Sequence, residues 1–165
     1  ATADEAGVPR PWRPLLRDVL VQLVRNAVAH GIEPIDERLR RGKPTEGLVQ
    51  LALRHHADSG WLELIVQDDG RGLDAEKVRQ RAAELGVGDA GGERWAELLF
   101  QPGFTTVERP HLHAGRGVGL DAVRELVDAR GGRVELHSER GNFCAVQVLL
   151  PLPAPVMSPA VEVPA

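Results

Sequence analysis

Two segments of period-two hydrophobicity restrict this fold more than any other feature. In "GLVQLALRHHADSGWLELIVQDDG", residues 47–70, Val49, Leu51 and Leu53 alternate with polar or smaller neighbours, as do Leu62, Leu64 and Val66. The break at "ADSG" reads as a turn between two strands. "RVELHSERGNFCAVQVLL", residues 133–150, reads as a second hairpin turning near Gly141 and Asn142. The remaining periodic segments have helical spacing. In "RPLLRDVLVQLVRNAVAHG", Leu15, Leu16, Val19, Leu20, Leu23, Val24, Ala27 and Val28 recur every three or four residues, with Pro14 in the first turn and Gly31 at the stop. "PIDERLRRG", "DAEKVRQRAAELG" (Asp74 as N-cap) and "GERWAELLF" read as further helices. "VGLDAVRELVDARGG" is a helix with Val118, Ala122, Leu126 and Val127 near one face. The segment "QPGFTTVERPHLHAGRG" has no period and reads as a long loop, a type of segment that is usually functional. Helices and hairpins in this order predict an α+β fold, a two-layer sandwich with helices on one face of a mixed or antiparallel sheet.

Composition narrows the class. The chain has 165 residues and is 42% hydrophobic, enough for one compact domain with its own core. A net charge of -4 is not the electrostatic footprint of a nucleic-acid or anionic-membrane binder. No apolar run approaches the roughly 18 residues of a membrane span, so no membrane insertion is expected. The single cysteine, Cys144, excludes an internal disulfide and fits a reducing, cytoplasmic setting. Residues 1–12 read as a linker or truncated N-terminal segment, 13–152 as the domain and 153–165 as a Pro/Ala-rich linker.

Three glycine-bearing stretches invite a phosphate reading. "RGKPTEG" fails as a Walker A loop, because Pro44 stands where Ser or Thr belongs and Glu37 where the first glycine belongs. "GRGVGLDAV" fails as a dinucleotide fingerprint, because Leu120 occupies the third glycine position and no strand precedes it. What remains is a glycine-hinged loop feeding a helix N-terminus, whose free N–H groups and dipole attract phosphate. A plain helix start after a flexible loop explains the same residues. "DDGRGLD", residues 68–74, follows a strand and joins a carboxylate to two glycines, and an ordinary strand-to-helix turn capped by Asp74 also accounts for it.

Taken in order, "LVRNAVAHGIE", "DDGRGLD", "LLFQPGFTT" and "AGRGVGLDAVRELVDARGG" resemble the ATP-binding domain of histidine kinases in the GHKL ATPase superfamily. The resemblance covers about residues 15 to 152 and is greatest to the chemotaxis-type, CheA-like branch. It implies ATP and Mg²⁺ as cofactors. Asn26 matches the residue whose side-chain oxygen holds Mg²⁺, which usually takes only one or two protein oxygens. His30, one helical turn on, matches a histidine facing the phosphates, with Arg25 beside it. Asp68 matches the carboxylate that accepts from the adenine amino group, with Gly70 and Gly72 making room. Thr105, Gly115, Arg116, Gly117, Val118, Gly119 and Leu120 match the phosphate loop and its lid. Taken singly, Asn26 also suits a helix neighbour, His30 a helix C-cap and Asp68 a solvated turn. His55–His56 and the "HLH" at 111–113 lack the companions of a metal site.

The departures bear on activity. Gln22 stands where the chemotaxis kinases carry a catalytic histidine and other superfamily members a glutamate, and an amide is no general base at neutral pH. Ala29 replaces an acidic residue before His30, and "GNFC" replaces the family's Gly-x-Gly hairpin turn. Residues 1–12 offer no convincing strand ahead of the first helix. The leading expectation is transfer of the ATP γ-phosphoryl group to a histidine on a separate phosphotransfer domain, with a response regulator and receptor or adaptor coupling elsewhere in the full protein. The competing expectations are an ATP-sensing module without efficient transfer and, less favoured, an ATPase of the topoisomerase or chaperone type.

Overall fold

A computed structural model of the chain describes residues 8–86, 92–101, 104 and 119–152. Strands β1 (Val49–His56), β2 (Trp61–Asp68), β3 (Arg133–Glu139) and β4 (Phe143–Pro151) form one antiparallel sheet in the order β1-β2-β4-β3. Both expected hairpins are present. The alternating pattern fixes the register, since a slip by one residue would turn every apolar side chain outward. Leu64 pairs with Val148 and Val66 with Val146, which pair in turn with Val134 and Leu136, so the inner rows run through β2, β4 and β3.

The helices are α1 (Arg13–Asn26), α2 (Ile35–Arg40), α3 (Ala75–Glu84) and α4 (Leu120–Asp128), with a 3₁₀ helix over Gly92–Phe100. Leu15, Leu16, Val19 and Leu23 of α1, Val78 and Ala82 of α3, and Val123 and Val127 of α4 share one core with Leu62, Val134 and Leu150 of the sheet. The architecture is the expected two-layer α+β sandwich, and its sheet is antiparallel. On the sheet's other face Glu63 is buried, accepting from Arg54 at 3.3 Å, bonded to His56 Nε2 at 3.0 Å and accepting from Gln147. Arg10–Trp12 form a 3₁₀ turn rather than a strand.

Three local expectations are corrected. The first helix does not run uniformly to Gly31, because Ala27–Gly31 widen into a π turn in which Ile32 N–H donates to Ala27 O at 2.8 Å. A π turn holds more residues than an α turn, so it rotates the end of the helix off its apolar face. Val28, expected inside, is accordingly 63% exposed. The segment "GERWAELLF" is helical but 3₁₀. On α4 the inward pair is Val123 and Val127, spaced i, i+4, while Leu126 is 40% exposed.

Candidate functional site

The end of β2 meets the end of α1 at a cavity of about 240 Å³. Its wall is largely apolar, built from Leu23, Ala27, Val66, Leu73, Leu136 and Val146 among others, while Asn26, His30, Asp68 and Cys144 supply polar atoms. Sites that enclose a whole drug-sized ligand run to roughly 300–1,000 Å³, so this compartment suits a ring system better than a complete nucleotide.

Asp68 dominates its chemistry. As the last residue of β2 it points to the inner, helix-covered face like Leu62, Leu64 and Val66, and it is only 6% exposed. Oδ1 accepts from Gly70 N–H at 3.0 Å, and Oδ2 has no hydrogen-bond donor among the described residues. Burial pushes the carboxyl above its ordinary value, and the charges of Asp69 and Glu33 push the same way against the Gly70 hydrogen bond. The group is therefore an acceptor with spare capacity in a largely apolar cavity wall.

Glycines let the backbone close around it. A Cβ on Gly31 would lie 2.8 Å from Asp68 Oδ1, and one on Gly70 would lie 2.2 Å from Gly31 O. Gly31 thus serves as more than a helix stop, since side chains at 31 or 70 would displace the carboxylate or the strand turn. Gly72 has φ +61 and a Cβ there would meet Glu139 O, so the first claim on its space is the protein's own backbone. Ser138 ties the same loop to the last hairpin, its hydroxyl accepting from Leu73 N–H and donating to Phe143 O, both at 2.8 Å.

Asn26 and His30 both line the cavity despite the π turn between them. Gln22 Nε2 donates to Asn26 Oδ1 at 3.1 Å. Arg25 is exposed and is not part of the cavity wall. Gly119 and Leu120, at the start of α4, line the cavity. Thr105, Gly115, Arg116, Gly117 and Val118 lie outside the described residues, as does most of the expected lid. Among the described residues no three His, Cys, Asp or Glu side chains form a group able to hold a metal ion. Asn26 Oδ1 is a neutral oxygen of the kind that could hold a largely hydrated Mg²⁺.

Two residues escape a motif reading, Cys144 in the wall and Arg38 behind it. Cys144, paired with Asp68 across β2 and β4, carries a thiol that burial pushes up to about 12, so it stays neutral beside the carboxylate. The alternation of β4 places it inward with Val146 and Val148, which is the signal in the sequence that marks it. Arg38 is wholly buried beneath the Asp69–Gly70 turn, although its helix is mostly charged.

Residues 13–154 match the family described as histidine kinase-, DNA gyrase B-, and HSP90-like ATPases. The chain is similar to the chemotaxis protein CheA of Klebsiella aerogenes, 41% identical over 138 residues that cover 82% of this chain and 21% of that protein. It is also similar to the gliding motility regulatory protein of Myxococcus xanthus, 39% identical over 89% of this chain and 19% of that protein. The chain therefore spans about a fifth of the length of these curated relatives. Among solved structures it resembles the histidine kinase domain of the blue-light activated histidine kinase from Erythrobacter litoralis EL346. That match has TM-score 0.52 at 20% identity and covers 91% of this chain and 52% of that one. The catalytic domain of the histidine kinase ThkA gives TM-score 0.53 at 20% identity, over 84% of this chain and 67% of that one. At such identity these two likenesses speak to the fold alone.

Proposed function

We propose, from the premise that this chain belongs to the histidine kinase-, DNA gyrase B-, and HSP90-like ATPase family, that the Asp68 cavity receives the adenine of ATP and that the domain passes the γ-phosphoryl group to a histidine on a separate phosphotransfer domain. The observation that carries this reading is the buried Asp68 carboxylate, one of whose oxygens has no donor among the described residues, in a largely apolar compartment. An exocyclic amino group is the donor such an acceptor lacks, and an aromatic base covers the surrounding apolar wall. Relatives named chemotaxis protein CheA favour the chemotaxis-type setting, with a response regulator and receptor coupling supplied elsewhere in the full protein.

In this reading residues 13–152 form the catalytic unit. Asn26 Oδ1 would hold Mg²⁺, which neutralises phosphate charge when bound. His30 stands next to Asn26 in the wall and faces the phosphate side. The N-terminus of α4, behind Gly119, would turn its positive dipole end to the phosphate oxygens, with residues 105–118 completing the loop. An acceptor imidazole needs little deprotonation, so positioning carries the transfer and Gln22 does not block it.

One observation favours a second reading, an ATP sensor without efficient transfer. The Gln22 amide donates to the oxygen that would hold the metal, and it contributes no base. Two measurements separate the readings: calorimetric ATP binding with and without Mg²⁺, and ³²P transfer to the cognate phosphotransfer domain. Saturable binding with transfer is the expected result. Binding without transfer moves the assignment to the sensor, and Gln22→His then tests whether a ring nitrogen restores the rate. No binding of ATP rejects both.

A further inference from the structure

The "RLRRGKPTEG" stretch, which fails as a phosphate loop, instead carries a dense knot of side-chain hydrogen bonds. Arg38, at 0% exposure, has an acceptor for each of its five N–H donors. Nε donates to Pro44 O at 2.7 Å, and Nη1 to Glu33 Oε2 at 3.1 Å and Asp69 Oδ1 at 3.2 Å. Nη2 donates to Glu46 O at 3.0 Å and Asp69 Oδ2 at 2.8 Å, closing a two-pronged grip on the Asp69 carboxylate. Lys43 Nζ uses its three donors on Glu33 Oε1 at 3.0 Å, Asp69 O at 2.7 Å and Gly70 O at 2.6 Å. Asp69 Oδ1 also accepts from Leu48 N–H at 2.9 Å.

These bonds converge on the two residues that follow Asp68. We propose that Arg38 and Lys43, acting with Glu33 and Asp69, are positioning residues that clamp the Asp69–Gly70 turn and so hold the Asp68 carboxylate in register for the base. Gly70 supplies the N–H that Asp68 Oδ1 accepts, and Lys43 holds the carbonyl on either side of the Gly70 nitrogen: Asp69 O before it and Gly70 O after it. Gly31 O, which accepts from Arg71 N–H at 2.8 Å, closes the other side with no room for a Cβ. The turn therefore has no slack, and a change in the clamp moves the carboxylate. Stability alone is a poor reason for this cluster, because buried ion pairs are often matched or bettered by apolar packing. A fixed geometry next to a recognition group is a better one.

The inference rests on the reading that Asp68 accepts from the adenine amino group, and the test separates the two. Affinities of the full chain for ATP and for purine riboside triphosphate, which lacks the amino group, are measured by calorimetry alongside thermal melting. The variants are Lys43→Met and Arg38→Lys. A wild-type chain that binds both ligands equally overturns the Asp68 reading itself. If the wild type prefers ATP, the clamp predicts that Lys43→Met melts cooperatively and loses about tenfold in ATP affinity, with the analogue weakened less than about threefold, as loss of one charged hydrogen bond warrants. Arg38→Lys, which keeps the charge but loses the fork, should act the same way. An unchanged preference for ATP in a folded Lys43→Met, or equal loss of both ligands, overturns the clamp. Should Arg38→Lys fail to fold, Lys43→Met decides alone.

Discussion

Asp68, proposed above to receive adenine, weakens the ligand-free protein. Its folded-state proton affinity is above the ordinary carboxylate value because it is buried, with Asp69 and Glu33 nearby. Between the unfolded and folded values the folded state binds more protons, so this group's contribution to stability falls as pH rises through that window. At neutral pH the ionised group is a net burden. Asp68→Asn keeps the acceptor for Gly70 N–H and removes the charge. It should raise ligand-free stability at pH 7 by up to about 1 kcal/mol, as is common for residues held for function, while ATP affinity drops tenfold or more. Thermal melting and calorimetry on one preparation read both effects. A variant less stable than wild type at pH 7 would refute the first.

Helix α3 gives the element-scale case. Asp74, outside the helix at φ -94, accepts from Glu76 N–H at 3.1 Å and Lys77 N–H at 3.3 Å, satisfying donors that the first turn leaves unpaired. Asp74→Ala should therefore cost about 1 kcal/mol in urea unfolding, with the slope of the transition unchanged. This cap was legible because an N-cap is decided by its own residue and the next three. The strands were legible for a similar reason: Leu62, Leu64 and Val66 declare their face by alternation alone. What the chain concealed depends on contacts distant in sequence or on a change of helix type. Val28 fits an α-helical face and leaves it only because Ala27–Gly31 form a π turn. Arg38 sits in a run of charges that reads as a solvated surface, and only Glu33, Asp69 and three backbone carbonyls supplied by folding make it a core residue. In the cavity, the motif order brought out Asn26, His30 and Asp68, which the fold places in one wall. Cys144 carries no motif and enters it through strand register.

At the scale of the whole molecule, carboxylates held below their ordinary range set the response to acid. Burial works against ionisation of Glu33, Glu63 and Asp69. It is outweighed by hydrogen bonds and charge from Lys43 at Glu33, from His56, Gln147 and Arg54 at Glu63, and from Arg38 and Leu48 at Asp69. Their stabilisation is present above the unfolded values and is lost as pH falls through the lower folded ones. The melting temperature should thus vary little between about pH 7 and pH 5 and drop steeply below about pH 4. A scan by circular dichroism checks this, and a flat profile down to pH 3 would contradict it. The two ends of the folded unit also meet. The indole N–H of Trp12 donates to Pro151 O at 3.0 Å, and Leu152 N–H donates to Gly60 O at 2.8 Å. Chain arriving at α1 and chain leaving β4 thus share one corner. Tension applied between them would load the Trp61–Pro151 end of the sheet, the end away from Asp68 and its cavity.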